Sequence, residues 1–303
     1  MVRISQKAFD RAAEFISLNA RPLERARFDY YFASGPISDV LTQLRAFQNN
    51  DGGFGHGIEP DLHMPLSSPF ATTLAFQVFR DLDVPGNHAA VVEGIKYFER
   101  TYDHSIGGWD PVGPRGNGFP RALWWNYEPI DGRLGPLKQS NPGAEIVGCL
   151  HRYSGQIDHA FLQQAIVEVM EAFTALPDDM DFHALLCFMR LAEMAPGPIA
   201  EKLLAGLRRG VQRLTCEGPD DWRSYGGRPL DFAAAPGSLL SEELRDSIQL
   251  QLDFEIGLQG DDGGWQPNWS RGQFESDWET AKVEWAGILT LRNLLILRAW
   301  GCV

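Results

Sequence analysis

Apolar residues recur along most of this chain at intervals of three and four, the spacing that places side chains on one face of an α-helix. Two kinds of helical segment alternate. In the first, one apolar stripe runs beside polar positions: Ile37, Val40, Leu41, Leu44 and Phe47; Val91, Ile95, Phe98 and Tyr102; Ile199, Leu203, Leu207, Val211 and Leu214; Leu244, Ile248, Leu252 and Ile256. Such helices keep one side in water. In the second kind, at residues 70–79, 144–150, 182–191 and 288–297, apolar residues lie nearly all round, which calls for cover on most sides.

Pairing one of each kind gives about six helical hairpins. Outer helices are expected to start near residues 5, 36, 87, 157, 199 and 241, and inner ones near 22, 68, 141, 181, 229 and 276. The fifth inner helix should be short, because Pro236-Gly237 follows Ala233-Ala234-Ala235. A ring of inner helices inside a ring of outer helices satisfies both patterns. The expected fold is therefore all-α, an (α/α)6 toroid spanning residues 1–303 as a single domain.

A sequence repeat supports the same division. Phe47-Gln48-Asn49-Asn50-Asp51-Gly52-Gly53-Phe54 follows one outer helix, Phe98 through Gly107-Gly108-Trp109 the next, and Phe254 through Gln259-Gly260-Asp261-Asp262-Gly263-Gly264-Trp265 the last. A degraded copy runs from Leu214 to Trp222. Each reads as a helix end, a Gly-Gly turn that permits positive φ, and an aromatic returned onto the helix ends. A packing role follows for Trp109 and Trp265.

These segments resemble the QW repeats of the terpenoid cyclase and protein prenyltransferase superfamily, whose members share an α-α toroid. Residues 48–54 and 259–265 follow the Gln, Gly, aromatic order, whereas the middle copy has Glu99 in place of Gln. The resemblance implies a terpenoid-cyclase-like enzyme, a lyase or isomerase, acting on an isoprenoid or other apolar substrate in a central cavity. Class II cyclases protonate an alkene with the middle Asp of an Asp-x-Asp-Asp motif at the start of an inner helix. The matching segment is Asp179-Met180-Asp181-Phe182, with Phe where the last acid stands. The resemblance thus makes Asp181 the general acid and Asp179 its neighbour. Helix capping is the competing reason for acids in front of an apolar helix. The prenyltransferase zinc set is missing, since neither Cys187 nor Cys216 has an acid two residues before it. Asp220-Asp221-Trp222 is too short for a class I magnesium motif, so no cofactor is expected, with Mg2+ entering only if the substrate is a diphosphate.

The long connections, 49–67, 103–140, 216–228 and 257–275, all run from outer to inner helices, whereas Ser34-Gly35-Pro36 and Pro196-Gly197-Pro198 make short turns. These four loops, extended to residue 237 in the third, hold 20 of the 31 Gly and six of the nine Trp, so tight turns and large side chains collect together. Long loops on a rigid scaffold carry function. Glu59 and Asp61 join the catalytic candidates, as does His183 on the helix after Asp181. His56, Trp124, Trp125, Tyr127, Trp269, Glu284 and Arg121 are the candidates for substrate contact. Aromatics with interspersed acids serve two chemistries. They line a greasy cavity in which ring faces stabilise a carbocation and a desolvated carboxylic acid supplies the proton. Equally, they stack on sugars while a carboxylate pair among Glu59, Asp61, Asp181 and Glu284 cleaves a glycosidic bond. A non-catalytic toroid that binds a hydrophobic ligand or a protein is the third reading. His56, Glu59, Asp61 and His63 share a short loop without an established metal-ligand spacing, so hydrogen bonds that hold the loop are expected and no metal. Arg115, Arg121, Arg223, Arg228 and Arg271 suit either a bound anion or a rim of ion pairs.

Composition narrows the partners. Twenty-seven Lys and Arg against 40 Asp and Glu give a net charge of −13, with no basic run, which argues against nucleic acid and anionic membrane as main partner. The first residues lack a secretory apolar region, and no stretch reaches the ~20 apolar residues of a membrane span. Cys149, Cys187, Cys216 and Cys302 are widely separated, as expected of reduced thiols in a cytoplasmic protein.

Overall fold

The structure, a computed structural model, describes residues 3–127, 140–176, 180–216 and 218–303. Among these residues it holds twelve α-helices, short 3-10 turns and isolated β-bridges, with no strand. The fold class is therefore all-α. The helices are α1 Gln6–Asn19, α2 Pro22–Phe32, α3 Ile37–Arg45, α4 Pro69–Asp81, α5 Ala89–Thr101, α6 Gly143–Arg152, α7 His159–Ala175, α8 Phe182–Met194, α9 Gly197–Leu214, α10 Pro229–Phe232, α11 Arg245–Gly257 and α12 Glu275–Ala299. Each begins close to its expected position, the largest difference being at α11, which starts at Arg245 rather than 241. The fifth helix of the second kind, α10, is only 4 residues long. No helix among the described residues is long and apolar enough to cross a membrane.

Side-chain caps fix several starts. Ser5, Ser68, Asp158 and Asp181 each accept backbone N–H groups of the first turn. Pro69 follows Ser68 at the first helical position, where its missing N–H leaves nothing unsatisfied.

Contacts divide the chain into two compact units, Arg45–Leu214 and the combination of Met1–Leu44 with Thr215–Val303. In the first, α6 packs on α8 and α7, and α8 packs on α9. Every residue from Gly143 to Leu150 is buried, as the all-round apolar pattern of α6 demands. The exception to apolarity is Glu145, which accepts from Gln77 Nε2 of α4 at 2.8 Å and Arg190 of α8 at 2.9 Å. One carboxylate thereby ties three helices, and its partners offset its burial. Burial also pushes the Cys149 and Cys187 thiols far up, so these two stay protonated.

In the second unit α1 and α2 both pack on α12, and α10 packs on α11. A buried polar cluster again joins helices here. Glu255 accepts from Arg228 at 3.0 Å and from Gln251 at 3.0 Å, while Gln251 Oε1 accepts the Leu230 amide at 2.7 Å.

Candidate functional site

Two repeats of the sequence fold into the same clasp. Gln48 Nε2 donates to Gly52 O at 2.9 Å and to Ala90 O of α5 at 3.0 Å. Gln259 Nε2 donates to Gly263 O at 2.9 Å and to Ala8 O of α1 at 2.8 Å. Each amide closes its own Gly turn and holds a helix distant in sequence. The turns match as well: Gly52 has φ +85° and Gly263 φ +91°, and a Cβ on either would drive into a backbone carbonyl, of Glu93 or of Arg11. The aromatic amides of Phe54 and Trp265 then donate to Thr72 and Thr290, each at 3.0 Å. In the middle copy, where Glu99 replaces Gln, the turn is held by the Asp103–Gly108 bridge instead, and Trp109 Nε1 donates to Phe98 O at 2.7 Å. Trp265 Nε1 likewise donates to Glu255 O at 2.9 Å. Both indoles are buried packing elements, as their repeat position implied.

Beyond the first clasp the 55–68 segment folds against the 111–127 segment. Leu62 bridges Arg121, the His63 amide donates to Pro120 O at 3.0 Å, and the Ala122 amide donates to Asp61 O at 2.8 Å. The Phe70 amide, in the first turn of α4, donates to Pro111 O at 3.1 Å. Asn117 closes the second segment on itself: its side chain donates to Tyr127 O at 3.0 Å and accepts the Tyr127 amide at 2.9 Å. These contacts bring Glu59, Asp61, Arg121, Trp125 and Phe70 into one cradle. Glu59 is 7% exposed and Asp61 2%, low values for carboxylates in irregular backbone. Trp125 Nε1 donates to Glu59 Oε1 at 3.4 Å, and the Trp125 ring lies 4.3 Å from that of Phe70. The neighbouring Trp124 turns outward, 52% exposed. The Arg121 guanidinium donates to Asn117 O at 2.9 Å and Phe119 O at 3.0 Å, so it braces the loop.

The remaining candidates lie elsewhere. His56 is exposed with its Nε2 2.8 Å from Asn49 Oδ1, a loop-holding contact. Asp181 is exposed and caps α8: its Oδ1 accepts the His183 amide at 2.9 Å and the Ala184 amide at 3.1 Å. His183, the other catalytic candidate on this helix, is also exposed, and its ring meets that of Phe182. The first turn of α8 turns this position toward water, because Ala184 and Leu185 take the buried face. Asp179 lies outside the described residues. In the other unit Trp269 packs between Trp285 at 5.1 Å and Tyr225 at 6.0 Å, and Glu284 is half-buried on α12. Of the five loop arginines, Arg228 pairs with Glu255, Arg223 lies over the Phe254 ring, Arg271 is buried and Arg115 exposed. Among the described residues no group of three His, Cys, Asp or Glu is arranged to hold a metal ion.

The capping role gives a direct prediction. Asp181→Ala should lower stability by about 1 kcal/mol, whereas Asp181→Asn, an equally good cap, should leave it unchanged. Chemical denaturation of the two variants beside the wild type measures the difference.

Phe70 was not singled out by sequence reasoning, which placed it in an apolar run. The signal available was its position directly after Ser68-Pro69, where a first-turn side chain faces the preceding loop. Comparison with protein-family profiles, curated proteins and solved structures gives no match to the chain.

Proposed function

We propose that the helices form a closed (α/α)6 toroid, and that the chain is a terpenoid-cyclase-like enzyme acting on an isoprenoid or similarly apolar substrate. The ring is supported by the second clasp, in which Gln259, just after the last outer helix, reaches Ala8 of the first. The activity is supported by one observation above the rest: a buried carboxyl, Glu59, hydrogen-bonded to an indole and set beside paired aromatic rings. Burial takes this carboxyl out of water, and neighbouring ring faces favour a cation. Proton transfer from Glu59 to an alkene would break the acid O–H bond, form a C–H bond and leave a carbocation for the substrate's own π bonds to trap. Asp61 supports the loop that presents Glu59. Asp181, exposed and committed to the cap, lacks the desolvation this step needs, which moves the role of proton donor from Asp181 to Glu59. The reading carries with it a cytoplasmic location and no resident cofactor.

A carbohydrate-active reading rests on the same pair, Glu59 and Asp61, together with the outward Trp124. One panel separates the two. Purified protein is incubated with farnesyl diphosphate, geranylgeranyl diphosphate and squalene, and in parallel with neutral and acidic oligosaccharides. A new cyclised diphosphate from either diphosphate substrate, or a new hydrocarbon or alcohol from squalene, supports the proposal. New reducing ends, or no product from any isoprenoid, overturn it.

A further inference from the structure

The last turn of α6 holds a histidine with nowhere to put a charge. Residues 143–150 are all buried, and His151 follows them half-buried, its Nε2 shut off from water and without a hydrogen-bond partner. In the neutral ring this costs one unmade hydrogen bond. In the imidazolium both nitrogens carry a proton, whichever held it before, so an N–H would stand on Nε2 with no acceptor.

Among the described residues the carboxylates of the elements packed here are engaged elsewhere. Beyond the short turn Ser154–Gln156, α7 begins at His159, the charged group that acts on His151, and its sign is the same. Asp158, just before, spends its Oδ1 on the Phe161 amide at 2.9 Å, and Glu168 and Glu171 lie more than two turns further along α7. On α6 itself Arg152 reaches Asp83 at 2.6 Å, and Glu145 holds Gln77 of α4 and Arg190 of α8. Arg80 of α4 pairs with Asp81 at 3.4 Å and with Glu193 of α8 at 3.7 Å. The Tyr153 phenol, pushed up by burial, stays neutral. Burial first and His159 second hold the His151 imidazole below its ordinary pKa, although a helix C-terminus favours a cation. The closed corner therefore favours the neutral ring. Its contribution to stability is full above pH of about 6.5 and is lost as pH falls below that value.

We infer that the α6–α7 corner is an acid-operated latch: proton uptake by His151 puts a charge on a sealed, unpartnered nitrogen, and the corner opens to give Nε2 to water. Opening unseats the first turns of α7, where Leu162 and Ala165 are buried. The latch is independent of the Glu59 cradle and of any reaction there.

The test follows hydrogen exchange of the full chain by mass spectrometry at pH 7.5 and pH 5.5, each rate divided by its intrinsic value at that pH. Peptides covering residues 150–162 open about five- to tenfold more often at pH 5.5, the rise that one proton allows over the unit below 6.5, while those of α5 do not change. In His151→Phe, whose ring takes up no proton, the rise is lost, and His151→Gln serves in its place if melting at pH 7.5 shows the Phe variant unfolded. An NMR titration of the His151 ring in the wild type needs no variant and has its midpoint below 6.5. A midpoint at or above 6.5, no rise at the corner, a rise that persists in the non-titrating variant, or one spread evenly over the chain overturns the inference.

Discussion

Gly263→Ala is expected to destabilise the protein by about 2–4 kcal/mol, more than most single substitutions. Two effects add. At φ +91° an L side chain is strained whatever the room, and here there is none, because the new Cβ would meet the Arg11 carbonyl of α1. The turn must therefore open or α1 must retreat. Either movement lengthens the bonds from Gln259 to Ala8 O and Gly263 O, so the clasp fails as a unit. Gly257→Ala is the control. Gly257 closes α11, is exposed, and a Cβ there meets nothing within 4 Å, so Ala should be neutral or stabilise by up to about 1 kcal/mol through helix propensity. Urea denaturation of the pair, at unchanged m-value, reads the contrast; equal stabilities would mean that the Gly263 turn holds nothing.

On the proposed function, Glu59→Gln should lower turnover of an isoprenoid substrate by about 10²- to 10⁴-fold, the contribution of a positioned general acid. The substitution preserves shape, and the amide oxygen of Gln still accepts the Trp125 indole N–H that Glu59 Oε1 accepts at 3.4 Å. The cradle should stay folded and the melting temperature unchanged, while the acidic proton is lost. Asp181→Asn, at the α8 cap, should turn over substrate at the wild-type rate. A slow Asp181→Asn beside a normal Glu59→Gln would return the role of proton donor to the start of α8.

The division into helices was readable in the sequence because burial along a helix is a local pattern. Val91, Ile95 and Phe98 state their face without reference to anything distant, and all three are buried on α5. The repeats were readable for a related reason: Gln, Gly and aromatic sit within eight residues, and the turn they form is itself local. What Gln48 and Gln259 hold was not readable, since Ala90 and Ala8 lie far away along the chain.

The cradle shows the same limit more sharply. Glu59 and Asp61 stood among the catalytic candidates and Trp125 among those for substrate contact, yet no spacing joins residue 59 to residue 125. Their meeting depends on irregular backbone pairing, Leu62 with Arg121 and His63 with Pro120, that leaves no periodic trace. The Asp179-Met180-Asp181 segment had the opposite character. Its motif was legible, but Asp181 makes a helix cap, and that exposed cap decides the local geometry.

The most direct test of the central claim, that a buried carboxylic acid starts the reaction by protonating an alkene, is to run the wild-type reaction in D2O and weigh the product. The account predicts one deuterium incorporated per product molecule, and product formed about 10²- to 10⁴-fold more slowly by Glu59→Gln. Product formed in D2O without deuterium, or deuterated product at the wild-type rate from Glu59→Gln, would contradict it.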